Sequence, residues 1–301
     1  MNSIEVNNIS KSYASLQALN DISFCVSQGE LFGLIGADGA GKSTMFRVLT
    51  TLLLPDSGSA RVEGFDTVKD YKQIRSCIGY MPGRFSLYPD LTVRENLEFF
   101  ASVFNTAPEA NRSLINDIYV QIEPFNSRRA AKLSGGMKQK LALCCALIHA
   151  PKVLFLDEPT TGVDPVSRSE FWQMLHRLKE KGITIMASTP YMDEARQCER
   201  IAFIRNGSIL QTASPKKIVS SFGEVLYSAT SNNMHSMLKE IRSFKGVKSA
   251  YAFGQSHHFT ISNESFEMKD LLLLLENKGY KDITIQAIEP TIEDCYMKIA
   301  Q

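Results

Sequence analysis

Two short stretches of this sequence combine residue types that could bind and cleave a polyphosphate. The first, GADGAGKST, runs over Gly36–Thr44 and fits the pattern G-x-x-x-x-G-K-[ST]. Its glycines let successive N–H groups turn inward around phosphate oxygens, while Lys42 supplies positive charge and Ser43 offers a hydroxyl to Mg²⁺. The second, KVLFLDE, ends in Asp157 and Glu158. These carboxylates could hold the metal ion and polarise an attacking water, so the two stretches predict chemistry on a nucleoside triphosphate.

The residues expected at the nucleotide follow from these stretches. Asp157 and Ser43 are the predicted metal ligands, and Glu158 is the predicted general base. A chance glycine-rich turn and a solvated acidic turn are the alternative interpretations, but the two motifs occur together. The residues predicted to surround the phosphates are Gly36, Ala37, Asp38, Gly39, Ala40, Gly41, Lys42, Ser43 and Thr44.

The elements around the motifs read as those of an α/β protein. The apolar stretch LFGLIG predicts a strand before the glycine-rich loop, and a helix is predicted from about Lys42. Val153–Leu156 predicts a buried strand that delivers the two carboxylates. Strands and helices continue to alternate, which favours a parallel sheet with helices on both faces. A further helix is predicted to open at Pro190, since proline is tolerated in a first helical turn.

The segment LSGGM at Leu133–Met137, followed by a helix and then by the KVLFLDE strand, resembles the signature segment of the ABC ATPase family. The resemblance covers roughly residues 4–216. It implies a P-loop NTPase fold of the ABC type, with a mixed sheet and a helical subdomain at about 88–150 inside a domain of residues 1–220. It also implies that ATP and Mg²⁺ are bound and that the chain is an ATPase.

The resemblance further implies a head-to-tail dimer, in which each nucleotide lies between one subunit's phosphate loop and the other's signature. Ser134 at a helix start is by its own chemistry also a helix cap. Whether the dimer is a homodimer or a heterodimer with a second ATPase subunit is left open. The signature residues implied to act on the partner's ATP are Leu133, Ser134, Gly135, Gly136 and Met137.

Two further positions match the family. Tyr13 corresponds to the aromatic residue that stacks on adenine, although a tyrosine in a hairpin is also a common packing residue. Asp164 corresponds to the loop that contacts the opposite subunit, although it is also a suitable cap before Pro165.

Two positions depart from the family pattern. Gly83 stands where a glutamine usually contacts Mg²⁺ and the attacking water, and Pro190 stands where a histidine usually contacts the γ-phosphate. Neither residue offers a side-chain donor, so hydrolysis is expected to be slowed. Arg84 and Thr189 are the neighbours that could compensate. The alternative function is therefore a regulatory module with a slow site that completes the active site of a partner ATPase.

The pattern of apolar and polar residues changes in residues 221–301. It predicts the order β-α-β-β-α-β, which indicates a small ferredoxin-like domain. A role in dimerisation or as a spacer is favoured there over a small-ligand sensor, because no ligand-binding cluster is evident. A short helix is predicted at the end, in TIEDCYMKI.

The composition limits the kinds of partner that this chain is expected to bind. The 33 Lys and Arg residues balance 32 Asp and Glu residues, which argues against a nucleic-acid-binding surface. The single cassette also argues against a soluble factor acting on ribosomes or DNA. Six cysteines without a C-x-x-C pair favour reduced thiols in the cytosol.

No apolar run reaches 18 residues, so membrane contact is expected only through separate membrane subunits, on the cytoplasmic face of the inner (plasma) membrane. The stretches LTVRENLEFF, STPYMDEA and IEPTIEDCYM resemble exporter subunits for drugs, lipids or polysaccharides. Docking of the membrane subunits is expected near GRFSLY, where Phe85, Leu87 and Tyr88 are equally open to interpretation as core residues.

Overall fold

The structure is a computed structural model that describes residues 1–84, 86–262 and 267–300. Its internal contacts divide the chain into two compact units, Met1–Pro215 and Lys216–Gln301. The boundary expected from the sequence, 220/221, lies at the other end of the helix that starts at Pro215. Each unit has its own core of buried apolar side chains.

The first unit contains two sheets and a helical part. Its strands are β1 (Asn2–Tyr13), β2 (Leu16–Ser27), β3 (Leu31–Ile35), β4 (Ser57–Val62), β5 (Phe65–Asp66), β6 (Ile78–Met81), β7 (Val153–Asp157), β8 (Thr184–Thr189), β9 (Arg200–Arg205) and β10 (Ser208–Ala213). Its α-helices are α1 (Lys42–Leu49), α2 (Tyr71–Cys77), α3 (Val93–Val103), α4 (Arg112–Tyr119), α5 (Gly135–Leu147) and α6 (Pro165–Glu180).

The larger sheet has the strand order β10-β9-β3-β8-β7-β6. Adjacent strands in this sheet are parallel, except that β10 is antiparallel to β9. Every residue of β3 and of β7 is buried, as expected for central strands covered on both faces. Because β8 lies between β3 and β7, the carboxyl ends of these three strands meet at one edge, where ligands bind in sheets of this kind.

The second sheet is antiparallel, with the order β2-β1-β4-β5. The strands expected at IEVNNI and DISFCV are present as β1 and β2, and they form a hairpin in which Tyr13 pairs with Leu16. They do not join the parallel sheet but form a separate sheet with β4 and β5. The mixed arrangement of strands that the family resemblance implies is therefore confirmed. The observed architecture is a mixed one.

The helical part contains α3, α4 and α5. A capping box starts α3: the Thr92 hydroxyl accepts from the Glu95 N–H, and the Glu95 carboxylate accepts from the Thr92 N–H at 2.8 Å. This reciprocal capping satisfies donors that a helix start would otherwise leave unpaired. The helices α3 and α4 fall where the pattern after Leu91 turns helical.

The second unit has the predicted order β-α-β-β-α-β. Its elements are α7 (Pro215–Ser220), β11 (Leu226–Thr230), α8 (Met234–Ser243), β12 (Val247–Phe253), β13 (Ser256–Ile261), α9 (Met268–Asn277), β14 (Thr284–Ile288) and α10 (Ile292–Ile299). The sheet order β12-β13-β11-β14 with antiparallel pairs is that of a ferredoxin-like fold.

Two local predictions need correction. The segment after Pro190 is not an α-helix opened by that proline, because only a short 3-10 helix forms, at Glu194–Gln197. This short helix begins four residues after the proline, at the buried Glu194. Helix α2, at Tyr71–Cys77, has no counterpart among the predicted elements.

Candidate functional site

The glycine-rich loop connects β3 to α1. Gly39 and Gly41 have φ values of 78° and 109°, a region that favours glycine, and a Cβ on Gly36 would lie 2.2 Å from the carbonyl oxygen of Ile204. Gly41 precedes α1 and has no side chain with which to cap it. The first amides of the helix are therefore left to an anion, which the helix dipole also favours.

Lys42 is held inside this loop. It is 3% exposed, and its Nζ donates hydrogen bonds to the carbonyl oxygens of Gly36 at 2.8 Å and Ala37 at 3.0 Å. The same Nζ lies 3.0 Å from Oε1 of Glu158 and 3.8 Å from Oδ1 of the exposed Asp38. The lysine and the predicted base are therefore within direct reach of each other.

The two carboxylates lie at the end of β7, against Ser188 of the neighbouring β8. Ser188 Oγ donates to Oδ1 of Asp157 at 2.7 Å, and the N–H of Glu158 donates to Ser188 Oγ at 3.0 Å. Glu158 has a φ of 52°, which is uncommon for a residue with a side chain. These hydrogen bonds hold that backbone in place, as is typical of strained residues at functional sites.

Asp157 also affects the neighbouring Tyr80 of β6. Burial raises the pKa of the Tyr80 hydroxyl, and the nearby charge of Asp157 raises it further, to about 12. Tyr80 therefore remains neutral at physiological pH, and it is not a competing anion beside the predicted metal ligand.

A cleft of about 430 Å³ is lined by Tyr13, by the predicted base Glu158 and by five residues of the predicted phosphate loop. The other predicted residues, Gly36, Ala37, Asp38, Ala40 and Asp157, do not line it. Tyr13, 40% exposed at the tip of the β1–β2 hairpin, lies at this cleft with the phosphate loop and Glu158. An exposed ring beside an anion-binding loop is suited to stacking on a base. The lining residues are Tyr13, Leu16, Gln17, Ala18, Gly39, Gly41, Lys42, Ser43, Thr44, Glu158, Asn206 and Gly207.

The LSGGM segment starts α5, at a different place. Ser134 Oγ accepts a hydrogen bond from the N–H of Met137 at 3.3 Å, and a Cβ on Gly136 would lie 3.1 Å from Ser167 Oγ. None of the residues 133–137, all of which the structure describes, lines the phosphate-loop cleft. Gly135 instead lines a smaller cleft, of about 160 Å³, which Glu158 also lines. The phosphate loop and the LSGGM segment therefore line different clefts of this chain.

Asp164 caps α6. Its Oδ1 accepts a hydrogen bond from the N–H of Ser167 at 3.0 Å, and hydrogen bonds from Ser167 lower the pKa of this exposed carboxyl. Capping accounts for the local role of Asp164 in one chain. Its expected contact with an opposite subunit stays a prediction.

Gly83 and Pro190, the two positions that differ from the family pattern, have different surroundings. A Cβ on Gly83 would lie 3.0 Å from the carbonyl oxygen of Asp157, so the loop passes close to the site backbone. Pro190 is half-buried and directly follows β8. Thr189, one of the two neighbours that could compensate, donates its hydroxyl to Glu194 at 2.6 Å. Arg84 is exposed and lines a cleft of about 160 Å³ together with Glu158.

Three polar residues at the site were missed in the sequence: Ser188, Thr160 and Glu194. Ser188 binds both carboxylate residues, while Glu194 accepts hydrogen bonds from Thr160 and Thr189. The available signal was the hydroxyl pair at the end of the apolar strand ITIMAST. Which residues that pair would bind depends on the strand order, which the pattern does not contain.

An apolar groove of about 380 Å³ lies between the sheet and the helical part. Leu87 is buried there at 6% exposure, whereas Tyr88 is 47% exposed and packs edge-on against Phe99, with ring centroids 4.7 Å apart. Phe85 lies outside the described residues. The lining residues are Thr50, Leu52, Arg75, Ile78, Gly79, Tyr80, Met81, Ser86, Leu87, Phe100, Val103, Phe104, Ala142, Cys145, Ala146 and His149.

Comparison with known sequences gives consistent matches. The sequence model of the ABC transporter family matches residues 19–161. A probable multidrug ABC transporter ATP-binding protein of Escherichia coli (strain K12) is 36% identical over 302 residues, covering 98% of this chain and 52% of that protein. Nod factor export ATP-binding protein I of Paraburkholderia xenovorans (strain LB400) is 37% identical over 221 residues, covering 72% of this chain and 73% of that protein. The chain thus spans about half the length of the E. coli relative.

Solved structures show the same fold. An ATP-binding subunit of an ABC transporter matches with a TM-score of 0.66 and 29% identity, covering 73% of this chain and 93% of the other. A dimeric ATP-binding cassette in a post-hydrolysis state with ADP and Pi matches with a TM-score of 0.63 and 26% identity, covering 70% and 98%. Among residues 1–84, 86–262 and 267–300, no helix is long and apolar enough to cross a bilayer.

Proposed function

Because this chain belongs to the family of ABC transporter ATP-binding proteins, in which ATP is bound with Mg²⁺, we propose that it hydrolyses ATP to drive export through separate membrane subunits. The single observation that carries this proposal is the shared cleft, in which Tyr13, Lys42 and Glu158 meet. It combines an aromatic surface, a phosphate-binding loop and a carboxylate base.

The roles in the cleft follow from position and charge. Lys42, in the phosphate loop, neutralises the β- and γ-phosphates. To do so it exchanges its ion pair with Glu158 for phosphate oxygens, and that exchange releases the Glu158 carboxylate. The freed carboxylate is then able to accept a proton from the water that attacks the γ-phosphate.

The metal ligands proposed are Ser43 and Asp157. A hydroxyl and a carboxylate are hard oxygen donors, and Mg²⁺ is usually bound by one or two such groups together with substrate phosphates. When bound, Mg²⁺ neutralises charge that develops on the phosphate oxygens. Ser188 occupies only Oδ1 of Asp157, so its hydrogen bond orients the carboxylate without using both oxygens.

The partners proposed are a second ATPase subunit and membrane subunits. Because the signature segment does not line the phosphate-loop cleft of its own chain, a head-to-tail dimer would supply it from the second subunit. The apolar groove beside Tyr88 is proposed to take an apolar segment of a membrane subunit, which would place the chain on the cytoplasmic face of the membrane.

Export is the direction favoured by the relatives, whose names include multidrug transport and Nod factor export. A slow site that completes a partner ATPase is the second candidate. It is favoured by one observation, the absence of a side-chain donor at Gly83 and Pro190.

ATP binding and turnover by the purified full chain test the proposal. Lys42→Ala is expected to lose ATP binding, because the loop then lacks its buried cation. Glu158→Gln is expected to keep binding and to lose at least about 10²-fold in turnover, because the base is removed. Two exposed residues provide controls, Lys72→Ala and Glu180→Gln, which should behave as wild type. Undiminished binding by Lys42→Ala would refute the proposed site, and undiminished turnover by Glu158→Gln would exclude Glu158 as the base.

A further inference from the structure

A buried carboxylate outside the nucleotide cleft links two loops of the site. Glu194, 4% exposed, accepts a hydrogen bond at Oε1 from Thr160 Oγ1 at 2.7 Å and another at Oε2 from Thr189 Oγ1 at 2.6 Å. Both threonines are buried as well, at 1% and 0% exposure. Hydrogen bonds to an ionised, buried acceptor are among the stronger ones in proteins, so this carboxylate holds both hydroxyls firmly.

One of these threonines belongs to the loop that carries the base. Thr160 follows Glu158 and Pro159 directly, and the next residue, Thr161, donates its hydroxyl to Glu158 Oε2 at 3.4 Å. The same loop continues to Asp164, the cap of α6. A displacement of Thr160 would therefore move the backbone from which Glu158 projects.

The other threonine belongs to the strand beside the phosphate loop. The carbonyl oxygen of Thr189 accepts a hydrogen bond at 3.3 Å from the N–H of Gly36, the first residue of that loop. Thr189 also accepts from the N–H of Tyr191 through its hydroxyl, at 3.0 Å. Glu194 thus ties the loop that carries the base to the strand against which the phosphate loop starts.

Arg168 provides the charge that a buried carboxylate needs. Its Nη1 lies 3.9 Å from Glu194 Oε1, and its guanidinium lies 4.7 Å from the centre of the Tyr191 ring. A paired and hydrogen-bonded buried charge is tolerated, whereas an unpaired one is strongly destabilising. Arg168 also donates a hydrogen bond through Nη2 to the exposed Asp193 at 3.3 Å, so it joins Glu194 and Asp193 in one polar network.

We propose that Glu194 is a positioning residue for ATP hydrolysis, one that fixes Glu158 relative to the phosphate loop. The inference rests on the proposed ATPase function. Lys42, Thr161 and Ser188 contact Glu158 directly, and the tether adds a fixed position for the loop from which Glu158 projects. A catalytic group misplaced by about 1 Å can lose about 10²-fold in rate, which makes the tether measurable.

Steady-state kinetics of the full chain with MgATP test this role. Glu194→Ala is expected to lower kcat by about tenfold or more while changing the Kd of a non-hydrolysable ATP analogue less than about threefold, because the tether aligns the base and leaves the phosphate loop intact. Thr160→Val should lower kcat in the same way. The double variant should be no slower than Glu194→Ala, since each substitution already removes the hydrogen bond between Thr160 and Glu194. Glu194→Gln, which keeps one acceptor oxygen, should recover part of the lost rate.

Thr184→Val is the matched control, because Thr184 is buried on the same strand as Thr189 but at its opposite end. Its hydroxyl accepts a hydrogen bond from the N–H of Gly29 at 2.9 Å, so the variant loses a comparable buried contact. It is expected to lower the Tm and to keep the wild-type kcat. An unchanged kcat in Glu194→Ala, or an equal fall in kcat in Thr184→Val, would overturn the inference.

A second measurement separates this inference from the proposed function. Absence of turnover in the wild-type chain would refute the ATPase proposal. Amide hydrogen exchange of residues 158–164 tests the tether without turnover: it should be faster in Glu194→Ala than in Thr184→Val, and equal rates would overturn the tether itself.

Discussion

At the scale of single residues, the two departures from the family pattern differ in how a larger side chain would fit. A Cβ on Gly83 would approach the Asp157 carbonyl to 3.0 Å, so a glutamine there requires the loop to shift by a few tenths of an ångström. Pro190 already has a side chain, and the hydroxyl of the preceding Thr189 is committed to Glu194. Position 190 is therefore the better place to restore a donor by one substitution.

Pro190→His is expected to raise kcat at least about tenfold with little change in the Kd for ATP, because one positioned donor in a charged site contributes about 10²–10³ in rate. Turnover of the purified chain measures it. Pro190→Ala, which removes the ring without adding a donor, is the control and should show no increase. Equal rates in the two variants would mean that the missing imidazole does not limit this site.

At the scale of elements, α10 is attached to the second unit's sheet by a buried polar cluster. Asp294, 0% exposed, accepts hydrogen bonds at Oδ1 from Tyr251 at 2.8 Å and from His258 Nδ1 at 2.6 Å. It also closes the capping box of α10 with Thr291. Burial raises the pKa of Asp294, but hydrogen bonds from His258, Thr291 and Tyr251 outweigh this and leave it below the ordinary value of 3.8.

Because the pKa of Asp294 is lowered, the contribution of this residue to stability depends on pH. A carboxyl whose pKa is depressed in the folded state stabilises the fold above its unfolded pKa, and that stabilisation is lost as the pH falls through the folded pKa. Asp294→Asn is therefore expected to lower the free energy of unfolding by about 1–3 kcal/mol at pH 7, with a difference from wild type that shrinks below about pH 4. Denaturant unfolding at several pH values measures it. Asp270→Asn, at an exposed position of α9, should change little, and a pH-independent difference would contradict the role given to Asp294.

At the scale of the whole molecule, the first unit has two predicted nucleotide-binding segments that line different clefts: the phosphate loop before α1 and the signature before α5. In a dimer with twofold symmetry, each phosphate loop would face the signature of the other subunit. Each composite site then needs one intact loop and one intact signature, from different chains.

Mixing two inactive variants tests this arrangement. Lys42→Ala breaks the phosphate loop and Gly135→Asp breaks the signature, so each homodimer should be inactive. Half of the randomly mixed dimers are heterodimers, and each of these keeps one intact composite site. The mixture should therefore recover about a quarter of the wild-type turnover. Recovery should disappear when both substitutions are placed in one chain and mixed with Lys42→Ala. No recovery in the first mixture would exclude the head-to-tail arrangement.

Much of the site could be predicted from the sequence because its chemistry is local. The loop Gly36–Thr44 must have glycines where φ is positive, and Asp157 and Glu158 must follow a buried strand. The β-α-β-β-α-β order of the second unit is likewise a matter of local periodicity. These features depend on the conformations and burial that short segments can adopt, and the sequence displays them directly.

Only the tertiary structure showed which residues support that chemistry. The order β3-β8-β7 brings Ser188 to Asp157 and places Glu194 between Thr160 and Thr189. In the folded chain the Thr189 hydroxyl donates to Glu194. The segment after Pro190 forms only a short 3-10 helix. The physical reason is that a parallel sheet joins strands distant along the chain, so hydrogen bonds at its edge depend on which strands are neighbours, and no local pattern contains that information.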